Sequence, residues 1–128
     1  MDRQTLVEAD LAAGRQLVLD LDHASFPVAA AFWLHDSEPN AWKLVIATKE
    51  AERDIHKAYV AIGEILRKKP EDFARIDLSD VRLVKPKDPI VLKLSRQVPV
   101  RGIGEARWNY GAIDGTVIED AIIYRTAA

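Results

Sequence analysis

Cysteine is absent from this 128-residue chain, which removes disulfides, thiolate nucleophiles, iron–sulfur ligation and cysteine zinc sites together. A metal would need His, Asp or Glu, and histidine is itself scarce at three copies, so no resident metal and no cofactor is expected. No apolar run approaches the roughly 20 residues that span a bilayer. The opening Met1-Asp2-Arg3-Gln4-Thr5 lacks the basic-then-apolar order of a secretion signal. A cytoplasmic protein without membrane attachment is therefore expected. The glycines are few as well, six in all. Arg101-Gly102-Ile103-Gly104 lacks the Lys-Ser/Thr ending of a phosphate loop and the third glycine of a dinucleotide fingerprint. None of Ser25, Ser37, Ser79 and Ser95 lies in a G-x-S-x-G elbow, so a serine nucleophile has no support.

What is present is an ordinary globular balance, 48% hydrophobic and 30% charged, which supports one folded domain over residues 1–128 and not a disordered chain. The net charge of −2 hides an asymmetry. Residues 1–64 carry 6 Lys and Arg against 11 Asp and Glu, a net of −5, while residues 65–128 carry 12 against 9, a net of +3. Lys93, Arg96, Arg101 and Arg107 are the candidate anion-binding residues of that basic half, and nucleic acid is one partner they admit.

Periodicity divides the chain without a linker or repeat. Thr5 and Glu8 have capping-box spacing and Gly14 can end a helix, which predicts a short helix over 5–13. Leu17, Leu19 and Leu21 then alternate with Val18, Asp20 and Asp22, which predicts a strand over 16–22. Residues 28–34 place apolar side chains on both faces, as a strand covered on both sides requires. The turn formers of 35–40 lead to a third strand over 42–48, and Thr48 can cap the helix that Pro70 stops. A short strand over 81–84 follows. Asp88-Pro89 starts a helix that Pro99 closes, and Asp114-Gly115 centres a hairpin between 105–111 and 116–125. The expectation is a single α+β domain with a mixed, mainly antiparallel sheet, in the order α-β-β-β-α-β-α-β-β.

The acid and imidazole pairs Asp22-His23 and His35-Asp36 invite a metal or acid–base site. Laid on antiparallel strands, His23 and His35 fall at opposite sheet ends, roughly 20–25 Å apart at ~3.3 Å per residue, so they do not share one ion. Asp22, His23 and Glu50 remain as candidate catalytic residues at one sheet end. The helix, three-strand, helix, strand order resembles the core of PD-(D/E)xK nucleases, whose acid-x-lysine motif gathers Mg²⁺ at the scissile phosphate. Here Lys43 and Lys49 are preceded at that spacing by Ala41 and Ala47, a departure that leaves only a diverged, nuclease-like relation.

Trp42-Lys43-Leu44-Val45-Ile46-Ala47-Thr48 and the stretch over 118–125 are similar to segments of small bacterial proteins carried on mobile elements such as integron gene cassettes. That resemblance implies no activity and no site residue. The leading expectation is a small binding or interaction protein of unidentified small-molecule or protein partner, homodimeric through the sheet or its last hairpin. The alternative is a metal-dependent hydrolase or diverged nuclease-like enzyme using Asp22, His23 and Glu50.

Overall fold

The computed structural model describes residues 4–126. Its elements are α1 (Glu8–His23), β1 (Ala30–Asp36), β2 (Ala41–Ala47), α2 (Glu50–Lys68), a 3-10 turn (Leu78–Asp80), β3 (Val81–Val84), α3 (Pro89–Gln97), β4 (Ala106–Trp108), β5 (Gly111–Ile113), β6 (Thr116–Ile118) and β7 (Ala121–Arg125). Five strands form one sheet in the order β3-β2-β1-β7-β4, and β5 pairs with β6 separately. β2 and β3 run parallel, joined by the α2 crossover, while the other pairs of the main sheet are antiparallel. The α+β class and the mixed, mainly antiparallel sheet are as the sequence led us to expect.

Alternation along the strands sends side chains into two cores. Trp33, Leu44, Ile46 and Tyr124 meet Leu17 and Leu21 of α1 and Ile62 of α2 on one face. Phe32, Val45 and Ile123 meet Val91 and Leu94 of α3 and the hairpin residues Ile113 and Ile118 on the other. β1 therefore lies inside a three-layer stack, which accounts for its apolar side chains on both faces.

Residues 4–23 correct the sequence reading. The predicted strand over 16–22 is the second half of one helix, α1, which starts two residues later than the Thr5 capping box implied. Its buried positions Asp10, Ala13, Gly14, Leu17, Val18 and Leu21 recur at helical spacing, and Leu19 is only half-buried. The helix start is closed by Asp10, whose carboxylate accepts the Val7 N–H at 2.9 Å and pairs with Arg75 at 2.8 Å. Gly14 ends nothing. A Cβ at that position would lie 2.6 Å from the Tyr124 hydroxyl and 2.9 Å from Trp33 Nε1, so the glycine lets the helix settle onto the sheet. There the Tyr124 hydroxyl donates to the Leu11 carbonyl at 2.6 Å and accepts from Trp33 Nε1 at 2.9 Å. Burial pushes that phenol far above its ordinary titration range, so it remains a neutral donor.

Other local signals behave as read. Thr48 Oγ1 accepts the Glu50 N–H at 3.2 Å, and Asp88 Oδ1 accepts the Ile90 N–H at 3.0 Å with Pro89 in the first turn of α3. Asp114 and Gly115 both take positive φ, 51° and 78°, the pair of values a two-residue hairpin turn requires. Two details were not anticipated. α2 is interrupted at Asp54, whose extended backbone (φ −164°, ψ 96°) breaks the helix and whose carboxylate caps the remainder by accepting the Lys57 N–H. The final hairpin is also broken. Its inner part joins the main sheet as β4 and β7, while its outer part, β5 and β6, folds over α3, with Trp108 Nε1 donating to the Ile118 carbonyl at the bend.

The outward edge of β3 is guarded. Leu83 gives its N–H to the Tyr59 hydroxyl at 3.0 Å, leaving this short strand less able to template another chain. Among the described residues no helix is long and apolar enough to cross a membrane.

Candidate functional site

Strand register brings the ends of four strands together at one end of the sheet. Ala30 at the start of β1 faces Ala47 at the end of β2, Ala47 faces Val84 at the end of β3, and Ala31 faces Arg125 at the end of β7. The C-terminus of α1 and the start of α2 arrive at the same end. Ligand clefts in open sheets favour such a position, outside the carboxyl ends of strands.

Arg125 organises this end. It is buried, although it follows the apolar run Ile122-Ile123-Tyr124. A buried guanidinium requires partners, and its Nη1 and Nη2 donate to Asp22 Oδ1 and Oδ2 at 3.0 and 2.7 Å. Nη1 also donates to the Val28 carbonyl at 3.2 Å, and Nε to the Gly102 carbonyl. One side chain thus ties α1, the α1–β1 connection, β7 and the loop after α3. The hydrogen bonds from Arg125 hold the Asp22 carboxyl below the usual carboxylate range against partial desolvation, and the charges of Arg125 and then His23 act in the same direction.

A depressed folded-state pKa gives stability that is present above the unfolded carboxylate value and is lost as pH falls through the folded one. Asp22→Asn is accordingly expected to flatten the acid limb of the stability curve below about pH 4 while changing little of its shape near neutrality. Urea unfolding from pH 2.5 to 7 measures this, and parallel acid limbs for the two proteins would contradict it.

Three clefts open around this sheet end. The first, about 470 Å³, has walls of Pro27, Val28, Ala29 and Pro86, and Asp22, Lys49, Gly102 and Arg125 supply its polar groups. The second, about 430 Å³, lies against the first half of α2 and is strongly polar, with Ser25, Glu50, Arg53, Asp54 and Lys57. The third, about 450 Å³, runs between α2 and the β3–α3 connection over Ile55, Leu83 and Val84, with Lys85 and Lys87 at its rim. Lys49 is exposed and has no ion-pair partner among the described residues.

The candidate catalytic residues are distributed differently from a converging site. Asp22 lies in the first cleft and is engaged by Arg125, Glu50 lies in the second and pairs with Arg53 at 3.3 Å, and His23 is exposed at the end of α1 and lines neither. Among the described residues no group of three or more His, Asp or Glu is placed to hold a metal ion. His35 lies toward the other end of β1, where its Nε2 lies 2.9 Å from Asn40 Oδ1 and its ring is tilted against Trp42.

The basic residues are not gathered on one surface either. Lys93 donates to Thr116 and Arg96 pairs with Asp114, so both fasten α3 to the hairpin. Arg107 pairs in register with Ile122, whose side chain belongs to the core on the α1–α2 face, opposite α3. Arg101 is exposed in the loop before Gly102. Of the aromatic residues, Trp33 is fully buried, whereas Tyr110 is 66% exposed.

Sequence reasoning placed residue 125 only at the end of the last predicted strand and missed the role of Arg125. The available signal was its place beside three apolar residues in a strand, where a charge needs a partner from elsewhere in the chain. No family model matches the chain, and neither a curated protein nor a solved structure matches it.

Proposed function

We propose that the chain is a small-molecule binding protein, with the Asp22–Arg125 cleft as its ligand site. The observation that carries this reading is the combination in one cleft of apolar walls, a buried and fixed guanidinium, and an unengaged lysine. A volume of about 470 Å³ lies within the range of small-ligand pockets. Catalysis would ask for an acid or base free to exchange protons near a reacting group, whereas Asp22 is occupied by two charge-assisted hydrogen bonds from Arg125. A rigid polar anchor beside an apolar wall orients a ligand without transforming it.

The test is a fragment screen read by amide chemical shifts. Binders are expected to move the resonances of Ala29, Lys49 and Gly102 together, and binders that move only residues elsewhere would count against the site. A thermal shift with Mn²⁺ or Zn²⁺ that disappears in His23→Ala would replace this reading with a metal-dependent hydrolase built on Asp22, His23 and Glu50.

A further inference from the structure

We infer that the ligand of the Asp22–Arg125 cleft is a monoanion with an apolar body, a short aliphatic carboxylate, gripped between Lys49 Nζ and one remaining N–H of Arg125. The inference rests on the reading of that cleft as the ligand site and adds the chemistry of what it takes.

The donor inventory comes first. A guanidinium carries five N–H groups. In Arg125, Nε meets the Gly102 carbonyl, Nη1 uses both of its hydrogens on Asp22 Oδ1 and the Val28 carbonyl, and Nη2 uses one on Asp22 Oδ2. The second Nη2 hydrogen has no acceptor among the described residues. Because the residue is buried and lines the cleft, water cannot satisfy that donor as freely as it would on an open surface, and an anionic oxygen from a ligand is the natural acceptor.

The charge count selects the valence. Arg125 and Asp22 neutralise one another as a bidentate pair, which leaves Lys49 as the uncompensated charge of the cleft. One positive charge matches one negative charge. A phosphate monoester, near −2 at neutral pH, would remain half uncompensated, and an amine would face Lys49 with like charge. The two cationic groups also differ usefully. Arg125 is held by four bonds and loses little freedom on binding, whereas Lys49 is anchored at its backbone beside buried Thr48, whose N–H donates to the Val84 carbonyl, and can adjust its flexible stem to the ligand.

The walls select the body. The side chains of Pro27, Val28, Ala29 and Pro86 are aliphatic, with no aromatic ring and no side-chain amide, which suits a saturated chain better than a sugar or a base.

Titration of ¹⁵N-labelled protein with hexanoate, hexan-1-ol, hexylamine and hexyl phosphate tests this. Hexanoate is expected to move the amides of Ala29, Lys49, Gly102 and Arg125 and to bind at least tenfold tighter than hexan-1-ol. Hexylamine is expected to leave these amides unmoved. Lys49→Glu should weaken hexanoate at least tenfold with the amide spectrum of the free protein preserved, and Lys49→Arg should retain it. Equal affinity for hexan-1-ol would keep the cleft as a ligand site and overturn the anion; hexyl phosphate binding tenfold tighter than hexanoate would overturn the carboxylate. Silence of these amides toward all four probes would remove both the inference and the reading beneath it.

Discussion

Arg125→Met is expected to destabilise the protein by about 3 kcal/mol, lowering the melting temperature by about 10 °C. The substitution keeps most of the apolar stem and removes the guanidinium, so packing changes little and the loss reports the polar contacts. Breaking a buried ion pair on one side costs about 3–5 kcal/mol. The lower end applies here because the Asp22 side chain is 37% exposed and can recover water once abandoned. The carbonyls of Val28 and Gly102 lose their donor in the same step, which keeps the loss well above that of a surface pair. Urea unfolding followed by circular dichroism supplies the number. A loss below about 1 kcal/mol would mean that Arg125 ties the sheet end together far less than its bonds imply.

Gly14→Ala is expected to cost about 2 kcal/mol, although alanine is the better helix former by about 1 kcal/mol. The added methyl would fall 2.6 Å from the Tyr124 hydroxyl and 2.9 Å from Trp33 Nε1. Neither group can retreat cheaply, since the hydroxyl is bonded both to Trp33 and to the Leu11 carbonyl. Overpacking of this kind costs about 1–3 kcal/mol, and a displaced buried hydrogen bond adds about 1. A double-mutant cycle isolates the cause. In a Tyr124→Phe background the nearest clashing atom is gone, so the alanine penalty should shrink by at least about 1 kcal/mol. Equal penalties in both backgrounds would place the strain elsewhere.

Gly14 also shows where the sequence was legible and where it was not. Turn and cap chemistry is local, and the residues that supply it were readable: Asp88 before Pro89, Thr48 before α2, and Asp114-Gly115 in the hairpin all do in the fold what their neighbours in the chain suggested. The double covering of β1 was readable for a related reason, since apolar side chains on successive residues leave no face for water. The first helix was misdivided because two periods coexist in it. Leu17, Leu19 and Leu21 alternate like a strand over a short window, while the buried set from Asp10 to Leu21 has helical spacing over a longer one. A glycine between them then looked like punctuation. Its real reason, a tyrosine 110 positions further on, is a tertiary contact that no local window contains.

The site was partly legible for the same physical reason. Asp22 and the neighbourhood of Glu50 do reach one end of the sheet, but Asp22 arrives there on a helix and not on the expected strand, and pairing partners are set by packing. The partner of Asp22 is Arg125, across 103 positions, and Glu50 turns to a neighbouring cleft with Arg53. Lys93 and Arg96 looked available in a list of charges, yet Thr116 and Asp114 on the folded-over hairpin engage them. A charge run becomes a binding surface only if the fold leaves it on one face.

The place of β7 has a consequence for the order in which the molecule is assembled. This strand lies between β1 and β4 in the sheet, and the Trp33–Tyr124 bond that joins it to β1 spans 91 positions. During synthesis the β1–β2 hairpin is therefore complete long before its neighbour emerges, with one side of β1 unsatisfied and its apolar faces lacking part of their cover. Vectorial folding from the N-terminus cannot close this sheet. Until β7 is added the sheet lacks an interior strand, and the Asp22–Arg125 cleft, whose guanidinium is carried on that strand, takes shape only when β7 docks.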